Sequence, residues 1–396
     1  MGKGPRKNNL RTVGSGYNTS IGLLRVLWAS FRRAFSLLHP YTDDQAGMPM
    51  ILVMNDTRRV LKMDVRSALL LVVIAAVAAA GQAAAQAPGA VTQAVQAWPA
   101  KPVRVIVAQA AGSGIDVLAR MLAQSLSVQW AKPVIVDNRP GANSIVGAEA
   151  VAHSSPDAHT LLCVSDVMFT INPHVYTRLP FDPVADLVPI TQLVTLSQLL
   201  VAHPSLQSNS LAELIALART QPGAITYSSW GAGSPAHLLM ETLKSKAGID
   251  VLHVPYKGIV QAVTAVVTGE TKLSWAGVNA TQNHIRGGKL KPLGVTAPTR
   301  SPFMPNVPTV AELGYPELEY MVWFGLFAPA GTPRPLIDRI HRDIARILLD
   351  PEVRKMNLHP MGYEPSVIDP DQFAALIGRE SALRQVMVKI SGAKVD

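Results

Sequence analysis

The sequence of 396 residues contains a single cysteine, Cys163, in the apolar stretch HTLLCVSD. One cysteine excludes an internal disulfide, a zinc site made of cysteine pairs and a CxxC redox centre. Because the neighbouring residues are typical of a buried strand, we expect the thiol to pack as a small hydrophobic side chain. The ten histidines are scattered without the spacing of a metal site, so no metal ligand is predicted.

The motifs of the common catalytic and cofactor sites are also missing. The sequence has no HExxH, no GxSxG and no GxxxxGK[ST] segment. No acid–base pair stands out in the loops, and no Ser/His/Asp set has the support of a motif. We therefore predict no catalytic residue and no cofactor. A secreted α/β hydrolase-like enzyme stays open as the alternative to a binding protein.

The basic charge is concentrated at the N-terminus. The formal net charge is +9, but residues 1–85 hold 11 basic and 4 acidic side chains, whereas residues 86–396 hold 25 and 23. The excess therefore does not belong to a binding face of the folded part. We expect no nucleic-acid partner.

Residues 54–85 have the pattern of a secretory signal peptide. Basic side chains precede an apolar run of 14 residues (68–81), and the small-residue stretch QAAAQA follows it. The run is shorter than the roughly 20 residues that span a bilayer, although an uncleaved anchor remains the alternative. We expect cleavage after Ala85 and, with no cysteine nearby, a periplasmic protein without a lipid anchor. Residues 1–53 are predicted to be a spurious or disordered extension, and residues 86–97 a short linker.

After the signal, strand-like apolar runs alternate with amphipathic helical patterns. VRVIVAQ (103–109) is followed by a helical pattern over 114–130, and TLLCVS (160–165) is a further strand. Ser210 with Glu213 forms a capping box at the start of another helix. Such alternation predicts an α/β fold with mostly parallel sheets and helices on both faces.

Ligands of parallel sheets lie beyond the carboxyl ends of the strands, where loops meet helix N-termini. The loops at these ends are rich in Gly, Ser, Ala, Asn and Thr, whose backbone N–H groups can approach an anion closely. They are residues 109–116, 138–147, 165–173, 228–238 and 275–281. The candidate ligand-binding residues are Gly112, Ser113, Gly114, Asn143, Ser144, Ser165, Ser229, Trp230, Gly233, Ser234 and His237.

The segment YSSWGAGSPAHLL (227–239) also matches the GxGxxA fingerprint of dinucleotide sites. Such a site needs an acid at the end of the next strand, and the nearest one, Asp250, comes before that strand. Pro235 suits the first turn of a helix. The segment is better interpreted as a helix N-terminus that presents N–H groups to a carboxylate.

Several polar and aromatic residues have a structural as well as a functional interpretation. Asp116 and Arg120 are spaced as an i,i+4 ion pair at a helix start. His237 either donates to the ligand or caps and packs its helix, and both alternatives stay open. Trp323 and Phe324 are predicted to pack at a hinge rather than to stack on a ligand.

Motifs along the chain from Trp98 to Asp396 resemble the Bug/TctC family. They include VDNRPGANSIVGAEAVA, HVPYKG, PLGVTAPTRSPFMPNVPTVAELGYPELE and WFGLFAPAGTPRPLI. The family comprises solute-binding receptors of tripartite tricarboxylate transporters. The resemblance implies a two-lobe, type II-like periplasmic-binding-protein fold. Residues 98–197 plus 324–396 would form lobe one and residues 198–323 lobe two, with crossing segments in LVTLSQLL and VWFGLFAPAG.

The resemblance further implies a monomer that closes on a small carboxylate and serves membrane transporter subunits or a sensor. The carboxylate would be held mainly by backbone amides, without an arginine clamp. The sequence departs from the family at two places. Ala276-Gly277 stands where the family commonly has an aspartate, and the bulky Trp230 lies in the loop 228–238, which is expected to bind the anion. With Met168 and Phe169 in another loop, these changes favour an aromatic acid over an amino acid.

Overall fold

The computed structural model describes residues 97–395. They belong to one compact unit, Pro88–Asp396. The predicted extension (1–53), the signal peptide (54–85) and nearly all of the linker (86–97) lie outside the described residues. The strands in the described part are β1 Val103–Val107, β2 Val134–Asn138, β3 Thr160–Ser165, β4 Leu187–Ala202, β5 Thr226–Ser229, β6 Leu252–Pro255, β7 Leu273–Gly277, β8 Lys291–Val295, β9 Met321–Pro329 and β10 Glu364–Pro365.

Helices connect these strands along the chain. The α-helices in residues 97–395 are α1 Gly114–Trp130, α2 Ile145–Ala152, α3 Val167–Thr170, α4 Asn172–Val175, α5 Leu211–Thr220, α6 Pro235–Ala247, α7 Ile259–Val267, α8 Val278–Arg286, α9 Arg334–Leu348, α10 Pro351–Val353 and α11 Pro370–Ser391. Short 3-10 turns cover Ala142–Ser144, Pro316–Leu318 and His359–Met361, and a π-helical turn covers Arg354–Leu358.

Strands followed by helices pair in parallel, as the sequence predicts. In the first half of the sheet, β1 lies between β2 and β3, and Val105 pairs with Val136 on one side and with Leu161 on the other. In the second half, β5 lies between β6 and β7 in the same parallel manner. The carboxyl ends of the strands in each parallel set therefore lie at one edge of the sheet. The loops predicted to bind the ligand begin at these edges.

Two long strands join the halves. From Leu187 to Ser197, β4 pairs antiparallel with β9, and from Gln198 to Ala202 it pairs antiparallel with β7 and β8. Strand β9 also pairs antiparallel with β3. The chain thus passes from one half to the other within β4, and this confirms the two-lobe α/β fold class. The exact lobe boundaries remain a prediction.

Aromatic side chains fill the space between β9 and α11. The rings of Phe169 and Phe327 stack with centroids 4.2 Å apart, and Trp323 meets Phe373 edge-on at 5.0 Å. All four side chains are buried. Trp323 therefore packs the crossing strand, as predicted, and its indole N–H donates to Glu380 at 2.7 Å.

Local sequence signals hold well in the helices. Ser210 Oγ accepts from the amide of Glu213 at 3.2 Å at the start of α5. The Glu213 carboxylate turns back to the amide of Asn209, one residue before the predicted partner. The thiol of Cys163 is buried within β3, and burial raises its pKa to about 12. It packs as a hydrophobic side chain, as predicted.

Candidate functional site

The loop after β1 leads into the N-terminus of α1. Within it, the amide of Gly112 donates to Asp116 Oδ2 at 2.8 Å, and the amide of Ser113 donates to the carbonyl of Ala110 at 3.2 Å. The first amides of α1, at Gly114, Ile115 and Asp116, have no acceptor among the described residues. Of the predicted residues in this loop, Gly114 therefore offers a free amide, whereas Gly112 and Ser113 do not.

The hydroxyl of Ser113 is a further free donor beside these amides. Ser113 occupies the N-cap position of α1, yet its side chain accepts no capping hydrogen bond. Its Oγ is buried and has no partner within residues 97–395. Buried hydroxyls are almost always hydrogen-bonded, so a missing partner at a helix N-terminus points to a bound ligand or water.

Asp116 fixes the shape of the loop and is not free for a ligand. Its carboxylate accepts from Arg120 at 3.0 Å, from Gly112 at 2.8 Å and from Asn138 at 2.9 Å. Burial opposes its ionisation, but these hydrogen bonds outweigh it and hold its pKa below the usual value. The predicted i,i+4 pair is thus a structural element of the site.

The loop after β2 adopts an unusual backbone. Gly141 has φ +136°, and the next three residues, Ala142, Asn143 and Ser144, have φ of +44°, +49° and +76°. Left-handed conformations cost a residue with a Cβ about 1–2 kcal/mol each. Asn172 holds the loop by donating to the carbonyl of Asn143 at 2.9 Å. Strain of this kind is concentrated at functional sites.

The loop after β3 is more deeply buried than predicted. Ser165 is 5% exposed and pairs with Phe324 of β9. Met168 and Phe169 are also buried, and they belong to the aromatic cluster against β9. Their packing within this cluster gives no support to the argument for an aromatic ligand that rests on them.

The loop after β5 satisfies most of its own amides. Gly231 donates to Ser229 Oγ at 3.1 Å, and Gly233 donates to His237 Nδ1 at 3.3 Å. Ser234 caps α6 by accepting from the amide of His237. The buried amide of Ala236 keeps no acceptor within the described chain. His237 thus anchors the loop, and Trp230 is half-buried beside it.

Histidine rings stack beneath this loop. The ring of His253 lies between those of His237 and Tyr227, with centroid distances of 4.6 and 4.7 Å. Its Nε2 shares a hydrogen bond with Ser229 Oγ at 2.6 Å. Ser229 is fully buried, so its hydroxyl is not accessible to a substrate as a nucleophile would be.

We expect stability to fall below pH 6.5 because His253 resists protonation. Burial, followed by the charge of His237, lowers its pKa from 6.5 to about 4. Above pH 6.5 the ring is neutral in both states, whereas between 6.5 and 4 only the unfolded chain takes up the proton. The free energy of unfolding should therefore decrease by about 2–3 kcal/mol across this window.

Urea unfolding at a series of pH values tests this expectation. In His253→Gln the glutamine can keep a hydrogen bond to Ser229 but does not titrate, so the loss between pH 6.5 and 4 should shrink by about 2–3 kcal/mol. His153→Gln, at an exposed histidine, is the control for the change of residue type. Equal slopes in wild type and His253→Gln would show that His253 does not carry the effect.

The loops of the two lobes meet at two places. Gly114 of lobe one faces Asn279, in the first turn of α8, together with Tyr363. Gly233 of lobe two lies against Val175 of α4, with an added Cβ 3.4 Å from that side chain. No hydrogen bond between the loop of Ser113 and the loop of Ser234 is present in residues 97–395.

Neutral donors dominate these loops. Their basic side chains are Arg139 and His237. Arg139 Nε pairs with Asp137 Oδ2 at 3.2 Å, and its side chain is 41% exposed. Residues 97–395 also hold no group of three or more His, Cys, Asp or Glu side chains that could bind a metal ion. The arrangement suits an anion held by amides and hydroxyls.

Asn279, Tyr363 and Asn172 were not among the predicted site residues. Asn279 lies in the predicted loop 275–281, in the first helical turn after a strand, and this position could have identified it as a candidate from the sequence. Tyr363 comes from the segment before β10, and no local pattern indicates that this segment reaches the cleft. Asn172 supports the loop after β2 through a contact between residues far apart in sequence.

Comparison with known proteins identifies the family of this arrangement. A family described as "Tripartite tricarboxylate transporter family receptor" matches residues 118–392. The chain belongs to this receptor family. Its relative BugT of Bordetella pertussis is 34% identical over 299 residues, which are 75% of this chain and 91% of BugT.

Solved receptors of similar fold include two with bound acids. Rpa4515 of R. palustris, determined with adipate, superposes with a TM-score of 0.70 and is 29% identical, covering 75% of this chain and 100% of that one. MatC (Rpa3494) of Rhodopseudomonas palustris, with bound malate, has a TM-score of 0.65 and 27% identity, covering 74% and 100%. The identification of the Bug/TctC family from the sequence is thereby confirmed.

One further property of the receptor concerns membranes. Within residues 97–395, every helix falls short of the length and apolar character that a membrane span requires.

Proposed function

We propose that the protein is a periplasmic solute receptor that closes its two lobes on a small carboxylate. It would deliver this ligand to a tripartite tricarboxylate-type transporter or to a sensor protein. The observation that carries the proposal is the N-terminus of α1, where three amides and the buried hydroxyl of Ser113 have no acceptor or partner within residues 97–395. A carboxylate can accept from all of these donors at once.

The relatives support the same class of ligand. Rpa4515 was determined with adipate and MatC with malate, and both are aliphatic dicarboxylates. In this receptor, burial of Met168 and Phe169 removes one reason to expect an aromatic acid, and Trp230 remains as the other. Aliphatic dicarboxylates are therefore the first probes, and aromatic acids the second.

We expect saturable stabilisation of the purified protein by a dicarboxylate. The unfolding free energy should rise as RT ln(1 + [L]/Kd), about 2.7 kcal/mol at 100 times Kd. Thermal shift and calorimetry with adipate, malate and benzoate measure the effect, and nuclear magnetic resonance of the recovered ligand checks for turnover. Adipamide, which lacks the carboxylates, is the matched control and should give no shift.

Other outcomes of this screen lead to different conclusions. Preference for glutamate or aspartate over the plain acids would contradict a site without a free carboxylate for the ammonium group. Chemical conversion of the ligand would favour the hydrolase-like alternative. If no carboxylate in the panel changes the unfolding temperature, the receptor proposal is wrong.

A further inference from the structure

The segment around Tyr363 is attached to both lobes. Strand β10 pairs with β4 at Val194 and Thr195, in the part of β4 that crosses between the halves. On the other side, Gln282 of α8 donates to the carbonyl of Pro360 at 2.8 Å. Tyr363 lies between these two attachments, so its position depends on how the lobes are arranged.

The Tyr363 side chain ends at the N-terminus of α1. The residue is fully buried, and its ring meets Phe324 edge-on at 5.7 Å. Its hydroxyl lies so close to Gly114 that a Cβ at position 114 would overlap it. The Asn279 amide is beside it, with Nδ2 at 3.3 Å from the same Cβ position.

Neither side chain has its hydrogen bonds satisfied by the protein. Tyr363 Oη and Asn279 Oδ1 are buried and form no hydrogen bond of good geometry within residues 97–395, although the Asn279 side chain lies close enough to the Tyr363 hydroxyl to act on it as a hydrogen-bond donor. A buried polar group without a partner costs about 1–3 kcal/mol. Tyr320 shows the usual solution in this same protein, since its buried hydroxyl donates to Asp166 at 2.6 Å.

We infer that Tyr363 is a ligand-contacting residue whose hydroxyl donates to a carboxylate oxygen of the solute held at the N-terminus of α1. The Asn279 amide would donate beside it. This inference rests on the proposed function and adds side-chain donors from the segment before β10 and from α8 to the amides of α1. These donors are all neutral, so the only charge in the contact is the negative charge of the ligand carboxylate.

The tyrosine is in the form that this contact needs. The ordinary pKa of tyrosine, about 10, already keeps the hydroxyl protonated at physiological pH, and burial raises the pKa of Tyr363 further. A phenolate at this place would repel the carboxylate. Gly114 is required for the same reason of space, because any larger residue would displace the hydroxyl from the helix end.

The test is Tyr363→Phe, measured by calorimetry with adipate and malate. We expect affinity to fall about 10- to 100-fold, the usual effect of losing a hydrogen bond to a charged group. Without ligand, the free energy of unfolding in urea should be nearly unchanged, because the hydroxyl donates to no acceptor among the described residues. The matched control is Tyr320→Phe, which removes a satisfied hydroxyl and should lower stability without ligand.

A second pair of variants keeps the inference testable if Tyr363→Phe behaves unexpectedly. Gly114→Ala should weaken binding strongly in the wild-type background and less in Tyr363→Phe, where the displaced oxygen is absent. Strictly additive losses would contradict the contact. So would a Tyr363→Phe variant that is less stable without ligand yet binds within about threefold of wild type. If wild type itself binds no carboxylate, the proposed function fails first and this inference fails with it.

Discussion

Replacement of Asp166 by asparagine is expected to raise the free energy of unfolding at pH 8 by about 2–4 kcal/mol. Asp166 is fully buried at the end of β3, directly after Ser165. Burial, only partly opposed by the hydrogen bond from Tyr320, raises its pKa to about 7. The folded protein therefore carries a carboxyl group that resists ionisation.

The surroundings of Asp166 explain why asparagine should fit. Arg384 stacks its guanidinium over the Tyr320 ring at 3.6 Å, and Glu380 accepts from Trp323 at 2.7 Å. The cluster thus holds the carboxyl groups of Asp166 and Glu380 beside Arg384, and Arg379 also acts on Glu380. Asparagine has nearly the same shape, still accepts the hydroxyl of Tyr320, and leaves Arg384 balanced by Glu380 alone.

The sign of the pH dependence follows from the raised pKa. Below about pH 4, Asp166 is protonated in both states and the wild type pays no cost. Between about 4 and 7, the unfolded chain releases its proton while the folded protein keeps it, so the wild type loses stability as the pH rises. Above pH 7 the cost is constant. Asp166→Asn should lack this decline.

Urea unfolding of wild type and Asp166→Asn at pH 4, 6 and 8 measures the difference. Because His253 gives an opposite slope in the wild type, the curves of the two proteins must be subtracted rather than interpreted singly. Tyr320→Phe is the control of opposite sign, since it leaves the Asp166 carboxyl group without its donor. A less stable Asp166→Asn at pH 8 would mean that pairing of the ionised Asp166 with Arg384 outweighs the cost of burying its charge.

Local features of the fold were readable from the sequence. Apolar periodicity gave the bounds of α1, 114–130, and the run TLLCVS gave β3, because both signals depend on neighbouring residues. The capping box at Ser210 was predictable for the same reason. The two-lobe architecture came from the family resemblance, and pairing within β4 then showed where the chain crosses.

The site was only partly readable. Loop composition pointed to Ser113 and Gly114, which carry unused donors, but it could not show that the amides of Gly112 and Gly233 are already used within their loops. Phe169 was misplaced because the direction of a four-residue helix is set by the aromatic cluster and not by its own sequence. Tyr363 was missed because its approach to Gly114 depends entirely on tertiary structure.

The second large effect is expected at Phe373, where α11 packs on the crossing strand β9. Phe373→Ala should lower the free energy of unfolding by about 3–5 kcal/mol, since it leaves a cavity beside Trp323 and Phe327. The ring is fully buried, with centroids 5.0 Å from Trp323 and 5.3 Å from Phe327. Val386→Ala, at an exposed position of the same helix, is the control and should change stability by less than about 0.5 kcal/mol.

Gly325 makes this contact specific in shape as well as in area. A Cβ at position 325 would lie 2.6 Å from the Phe373 ring and 2.9 Å from the Phe327 ring, so Gly325→Ala alone should cost about 1–3 kcal/mol. In the Phe373→Ala background the methyl group enters the cavity, and its cost should disappear or change sign. A double-mutant cycle in urea should then give a coupling of about 1 kcal/mol or more. If the losses of Gly325→Ala and Phe373→Ala are additive, the fit between Gly325 and the Phe373 ring does not hold β9 and α11 together. The position of β9 would then be set by its pairing with β3 and β4 alone.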